Sequence, residues 1–158
     1  QLYSLRSARN WGIGDFADLA ALAALAGPLG ADFIGVSPLH ALFLADASRI
    51  SPYAPSTRNF LNPIFIAPDR VPGFDALPDR DALLAPLPSL RETELIDYAG
   101  VYAAKLRAFE ALFAAFRAGG DDADRAAFEQ FKLEQGETLV NFALFEALSE
   151  HFVARGRL

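Results

Sequence analysis

Ser51-Pro-Tyr-Ala-Pro-Ser56 is the stretch whose residue types best suit recognition. Pro52 and Pro55 stiffen the backbone on both sides of Tyr53 and lower the entropy lost in presenting its ring. A rigid aromatic with a hydroxyl suits a pyranose, because the ring face packs on sugar C–H bonds and the OH reaches a sugar hydroxyl. The plainer alternative is a tyrosine that seals its loop against the domain. His40 follows a short apolar run and has no histidine or cysteine near it in sequence, so a hydrogen-bonded structural role competes with a ligand role. Catalysis by paired carboxylates needs two acids converging on one bond. Asp15 and Asp32 fall where a helix and a strand should start, and Asp46 sits in a long loop without a visible partner. No complete catalytic constellation is legible, and no residue of this chain is assigned to catalysis.

Gly12-x-Gly14-x-x-Ala17 superficially fits the turn of a dinucleotide-binding unit. The surroundings argue against it. Nine residues separate Leu5 from Asp15, too many for that tight turn, and Asp15 would place a carboxylate where a pyrophosphate should sit. The simpler reading is two glycines that let a loop turn and an aspartate that caps a helix.

The elements that must position these residues follow from punctuation and periodicity. All ten prolines lie between Pro28 and Pro88, so the middle of the chain is loop-rich and the last seventy residues are free to be helical. Gln1 to Leu5 reads as a short buried strand, Phe16 to Ala26 as a helix capped by Asp15, and Asp32 to Val36 as a second buried strand. Strand, helix and strand in that order make a βαβ unit with a parallel sheet and a right-handed crossover. Ser37 to Pro63 is a long connection of the kind that is usually functional when ordered, with Ile64 to Ile66 a candidate strand after it. Ala67 to Pro88 reads as an irregular surface segment. Asp97 is placed to cap a helix from Tyr98 to Ala118, and Asp122 to Gln135 and Glu137 to Val153 read as two more. Their aromatic stripes are expected to be core, or an exposed apolar patch if their cover is missing.

Composition narrows the classes. The chain has 158 residues and is 53% hydrophobic, enough for one domain with a real core and inconsistent with disorder. It has no cysteine and only two histidines, which leaves no disulfide, no thiolate zinc site and no expected metal or cofactor. The net charge is −6, so no basic face for nucleic acid is expected. No apolar run reaches the roughly 18 residues of a membrane span, and a cytoplasmic setting is expected. Methionine is absent even at position 1, so the chain is expected to be trimmed or part of a larger protein, and the excess of arginine over lysine points to a GC-rich bacterial gene. Two strands cannot fill a parallel sheet, which makes this the opening portion of a larger α/β domain.

Leu5-Arg-Ser7 leading to Asn10-Trp-Gly-Ile-Gly-Asp-Phe16 resembles the start of the catalytic barrel of the 4-α-glucanotransferases of glycoside hydrolase family 77. Gly30-Ala-Asp-Phe-Ile-Gly-Val-Ser-Pro-Leu-His-Ala-Leu-Phe43 is similar to that family's second strand and following loop. Ser51-Pro-Tyr53, Ser56 and Phe60-Leu-Asn-Pro63 are similar to its characteristic loop, and Ile96-Asp-Tyr98 with the long helix after it resembles a helical insertion.

The resemblance implies a partial (β/α)₈ barrel, with residues 1–97 supplying its first strands, helix and substrate loop and residues 98–158 the insertion. It implies transfer of α-1,4-glucan segments between maltodextrins by retaining double displacement, with carboxylates on later strands that this chain does not contain. The chain alone is therefore expected to be inactive, and to self-associate through apolar faces meant for the rest of the barrel. By the same resemblance Tyr53 is the substrate-facing aromatic, Ser51 shapes its loop, Asn62 fixes the loop's return, and His40 lies at the strand end that approaches substrate. Ala47-Ser-Arg-Ile50 lacks the aromatic that serves a second glucan site in some relatives, so none is expected here. The alternatives are a non-catalytic nucleotide-binding α/β domain and a helical interaction module over residues 98 to 153.

Overall fold

The computed structural model describes residues 1–157. Its helices start where their caps predict. In α1 (Phe16–Ala26) the Asp15 side chain accepts from the Ala17 and Asp18 amides while the Asp18 side chain accepts from Asp15 N–H, a reciprocal capping box. The short helices α2 (Arg80–Leu84) and α3 (Leu87–Glu92) lie in the proline-rich segment. Asp97 caps α4 (Tyr98–Gly119) through a 2.9 Å bond from the Gly100 amide. Asp121 caps α5 (Asp122–Val153), which is two helices in one line of chain, since Gly136 has non-helical φ 54° and ψ −140°. A break at that glycine is what the sequence predicts.

The core is built by helices and 3-10 turns. Leu2, Trp11, Ile13, Ile64, Phe65, Phe74, Leu77, Leu83, Leu87 and Leu90 pack against Val101, Ala104, Ala108 and Leu112 of α4. The segment expected to be irregular surface thus supplies Phe74, Leu77, Leu83 and Leu87 to the interior. Its prolines start short turns rather than abolish structure. On α4 the buried face carries Val101, Ala104, Lys105, Ala108 and Leu112, and the aromatic stripe lies beside it, with Phe113 about half exposed. α5 buries none of its residues.

A charged frame holds the N-terminal loop to this core. The Arg9 guanidinium bonds Asp15 at 2.5 Å, Asp18 at 3.1 Å and Asp69 at 3.0 Å, and Trp11 Nε1 also donates to Asp69 at 3.0 Å. Asn10 donates to the Leu5 carbonyl and to Asp18, and Ser7 donates to Asp18 at 2.7 Å. Asp15 is fully buried, so it needs this compensation; a buried charge survives only when paired and hydrogen-bonded.

The expected βαβ unit is not formed among the described residues, which hold no strand. Leu2–Ser4 is a 3-10 turn, closed by Ser4 and Leu5 amides bonding back to Gln1 and Leu2 carbonyls. Pro63–Phe65 is another, because Asn62 caps the Ile64 amide and Pro63 presets the turn's first dihedral. Asp32 to Val36 has no regular structure and leaves Phe33 87% exposed. The physical reason is that a parallel strand exists only as half of a pair, and none of these three segments shares a backbone hydrogen bond or bridge with another. No described helix is long and apolar enough to cross a membrane.

Candidate functional site

The long connection from Ser37 to Pro63 closes on itself near its base. Leu39 and Asn62, and Ala41 and Phe60, each share a backbone bond of 2.8 Å, with His40 and Leu61 facing each other as an isolated antiparallel bridge. Ser56 reinforces the closure, its amide donating to the Ala41 carbonyl and its hydroxyl to the Leu42 carbonyl at 2.8 Å. Asn62 is buried and accepts from the Ile64 amide at 3.0 Å. Lys105 of α4 reaches the far side of that turn and donates to the Ile64 and Ile66 carbonyls at 2.5 and 2.8 Å. The loop's return is therefore tied to the core by one amide and one ammonium.

The four candidate residues separate into two groups. His40 and Asn62 share a small cavity of about 20 Å³ with Pro52, Asp46, Tyr98 and Tyr102. Tyr53 and Ser51 stand away from it. Tyr53 is 69% exposed, and Ser51 lies beside Arg49 and Ile50, its carbonyl accepting the Ala54 amide in a tight turn. Tyr53 therefore presents its ring to solvent and does not seal the loop. His40 Nδ1 is buried without a partner among the described residues. Asp46 is the cavity's one carboxylate; its hydrogen bonds from the Ser48 hydroxyl and amide hold its pKa below the usual value. At the loop's shoulder the Arg49 guanidinium sits 3.3 Å above the Phe43 ring, a cation–π contact.

Three residues near the loop escaped sequence reasoning. Lys105 is nearly fully buried, and burial lowers its pKa from 10.5 to about 8. Tyr102 and Glu146 line a second cavity of about 280 Å³ with Leu44, Lys105 and Phe109. Burial raises the pKa of both, the Glu146 charge adding to the rise at Tyr102 and the Leu44 amide opposing the rise at Glu146. A signal for Lys105 existed: it is one of only two lysines and falls on the same α4 stripe as Val101, Ala108 and Leu112. Nothing in the sequence marks Glu146, whose position depends on how α5 meets the loop. Among the described residues no group of three or more His, Asp or Glu side chains is arranged to hold a metal ion.

The Asn10-Trp-Gly-Ile-Gly-Asp motif has a structural explanation. Gly12 has φ +86°, and a Cβ there would meet Leu90 Cβ at 2.8 Å. At Gly14 a Cβ would run into the Leu2 carbonyl and the Leu5 side chain. Both glycines let the loop pack tightly under α3 and the first turn, and Asp15 caps α1.

Residues 1–157 match the sequence profile of the 4-alpha-glucanotransferases of glycoside hydrolase family 77. The chain is 37% identical over 157 residues to the 4-alpha-glucanotransferase of Haemophilus influenzae, covering 94% of this chain and 22% of that protein. It is 34% identical over 163 residues to that of Mycobacterium tuberculosis, covering 96% of this chain and 22% of the relative. Among solved structures it superposes on the amylomaltase of Corynebacterium glutamicum with a TM-score of 0.84 and 36% identity, covering 96% of this chain and 22% of that one. The chain thus spans about a fifth of the length of the relatives it matches.

Proposed function

Because the chain belongs to the 4-α-glucanotransferase family, glycoside hydrolase family 77, we propose that it is the part of such an enzyme that presents a glucan-binding loop. Tyr53 packs on a sugar face and offers its hydroxyl to the sugar, while Ser51 and the two flanking prolines hold its turn. Asn62 fixes the loop's return, and His40 approaches the substrate side at the loop's base. The observation that carries this reading is the exposed Tyr53 ring on a loop whose two ends are bonded together and pinned to the core. The activity proposed for the whole enzyme is transfer of an α-1,4-glucan segment from one maltodextrin to the 4-OH of another. In that reaction a carboxylate attacks the anomeric carbon, and a second carboxyl protonates the leaving oxygen and later deprotonates the acceptor hydroxyl. Both acids come from outside these residues, since none of the acids here converges as a pair at the loop.

Residues 1–97 are then the opening of a (β/α)₈ barrel and residues 98–158 a helical insertion of the same domain. The extended segment around Phe33 becomes a barrel strand when neighbouring strands flank it, and the remainder of the barrel is its partner.

Maltotriose disproportionation, with products resolved by chromatography, tests the reading. The complete gene product should yield glucose and longer maltodextrins, and Tyr53→Ala should raise its KM by roughly tenfold for the loss of one aromatic–sugar contact. The 158-residue chain alone should yield nothing. A product ladder from that chain would overturn the placement of the acids, and an unchanged KM in Tyr53→Ala would overturn the role of the ring.

A further inference from the structure

The second half of α5 buries no residue, yet two of its phenylalanines rest on the loop. Phe142 stacks on Phe60 with ring centroids 4.5 Å apart and planes 14° from parallel. Phe145 meets Phe43 at 6.3 Å in an edge-on arrangement. Phe142 and Phe145 are three residues apart and so lie on one helix face. Their targets are the two ends of the loop: Phe60 gives its carbonyl to the base pairing with Ala41, and Phe43 carries the Arg49 guanidinium. Glu146, the next residue, lines the cavity beside Leu44. One short helical face thus touches both strands of chain leading to Tyr53.

Gly136 explains how the face is aimed. Its φ of 54° with ψ of −140° is open to glycine alone, and it redirects residues 137–153 away from the line of residues 122–135. A straight helix would continue in the direction set by the Phe113–Phe116–Phe128 cluster, where α5 meets α4.

We infer that residues 137–153 form an arm that sets the position of the Tyr53 loop, with Phe142 and Phe145 as positioning residues. This rests on the reading of that loop as glucan-binding, and the test separates the two. Phe142→Ala and Phe145→Ala are made in the complete gene product, with Phe142→Tyr as the conservative variant. Two readouts are taken beside thermal stability: the KM and kcat of maltotriose disproportionation, and the rate of trypsin cleavage at Arg49 and Arg58, both exposed on the loop. The alanine variants should raise the loop cleavage rate and KM roughly fivefold each, with kcat and the melting temperature little changed, as fits the loss of one aromatic pair. Phe142→Tyr should restore both. Faster cleavage without any change in KM, in the variants and in Tyr53→Ala alike, would keep the arm and remove the glucan reading. An unchanged cleavage rate, or one that rises only in step with a collapse of the melting temperature, would overturn the arm.

Discussion

Lys105 shows how much one side chain can organise. Its ammonium is buried and held by two carbonyls of the turn that ends the loop. Desolvation lowers its pKa to about 8 and the Arg9 charge adds to the drop, while the Asp15, Asp69 and Asp18 carboxylates oppose it. The folded protein therefore binds fewer protons at this site than the unfolded chain between pH 8 and pH 10.5. The sign is positive: this group's contribution to stability rises as pH climbs through that window. Urea melts of the complete gene product should show the rise, and Lys105→Met should lack it; an equal slope in both would refute the assignment. Asn62 is the matching anchor on the other side of the turn. Asn62→Ala removes the acceptor of a buried amide and the cap of a 3-10 turn, a loss of about 2 kcal/mol by denaturant titration. Asn62 was singled out only through the family resemblance; its cap on the Ile64 amide is a contact between near neighbours. Lys105 was not legible, because a lysine on an apolar stripe reads as solvent-seeking until its two carbonyl partners, some forty residues away, are in place.

At the scale of elements, the caps carry the local structure. Asp15 and Asp97 each sit one residue before a helix and accept its orphan amides, which is why those starts could be read directly. Gly12 links the N-terminal loop to α3: Gly12→Ala would combine a left-handed φ with a clash at Leu90 and should cost about 3 kcal/mol of stability. A melting temperature within a degree or two of the parent would contradict that packing. Gly136 was legible as a break, but the direction it imposes on the arm was not, since that depends on where Phe43 and Phe60 lie. The strand readings failed for a related reason. Apolar runs at Leu2, Phe33 and Ile64 have strand-like composition, yet two of them are short turns closed by their own backbone, and the third has no neighbour to pair with.

The whole molecule is asymmetric in what it hides. One core joins the N-terminal loop, the proline-rich segment and α4. Outside it, Leu25 in α1, Leu29 in the turn after it, Phe33, and Phe131, Val140 and Leu144 on α5 all face solvent. α1 is apolar nearly all round, a pattern stable only when the helix is covered. The 158-residue chain by itself should accordingly self-associate. Light scattering over a dilution series should show mass falling with concentration, whereas a constant monomer mass would mean these faces need no partner. What the sequence determined on its own was everything set by near neighbours: the capped helices, the break at Gly136 and the family likeness that its motifs carry. What only the tertiary structure decided was everything set by distant partners: the burial of Lys105, the placing of Phe142 and Phe145 on the loop, and the absence of strands among the described residues. The reason is that a cap or a turn is completed within four residues, whereas a strand, a buried charge or a docking face is defined by chain that sequence order does not bring near.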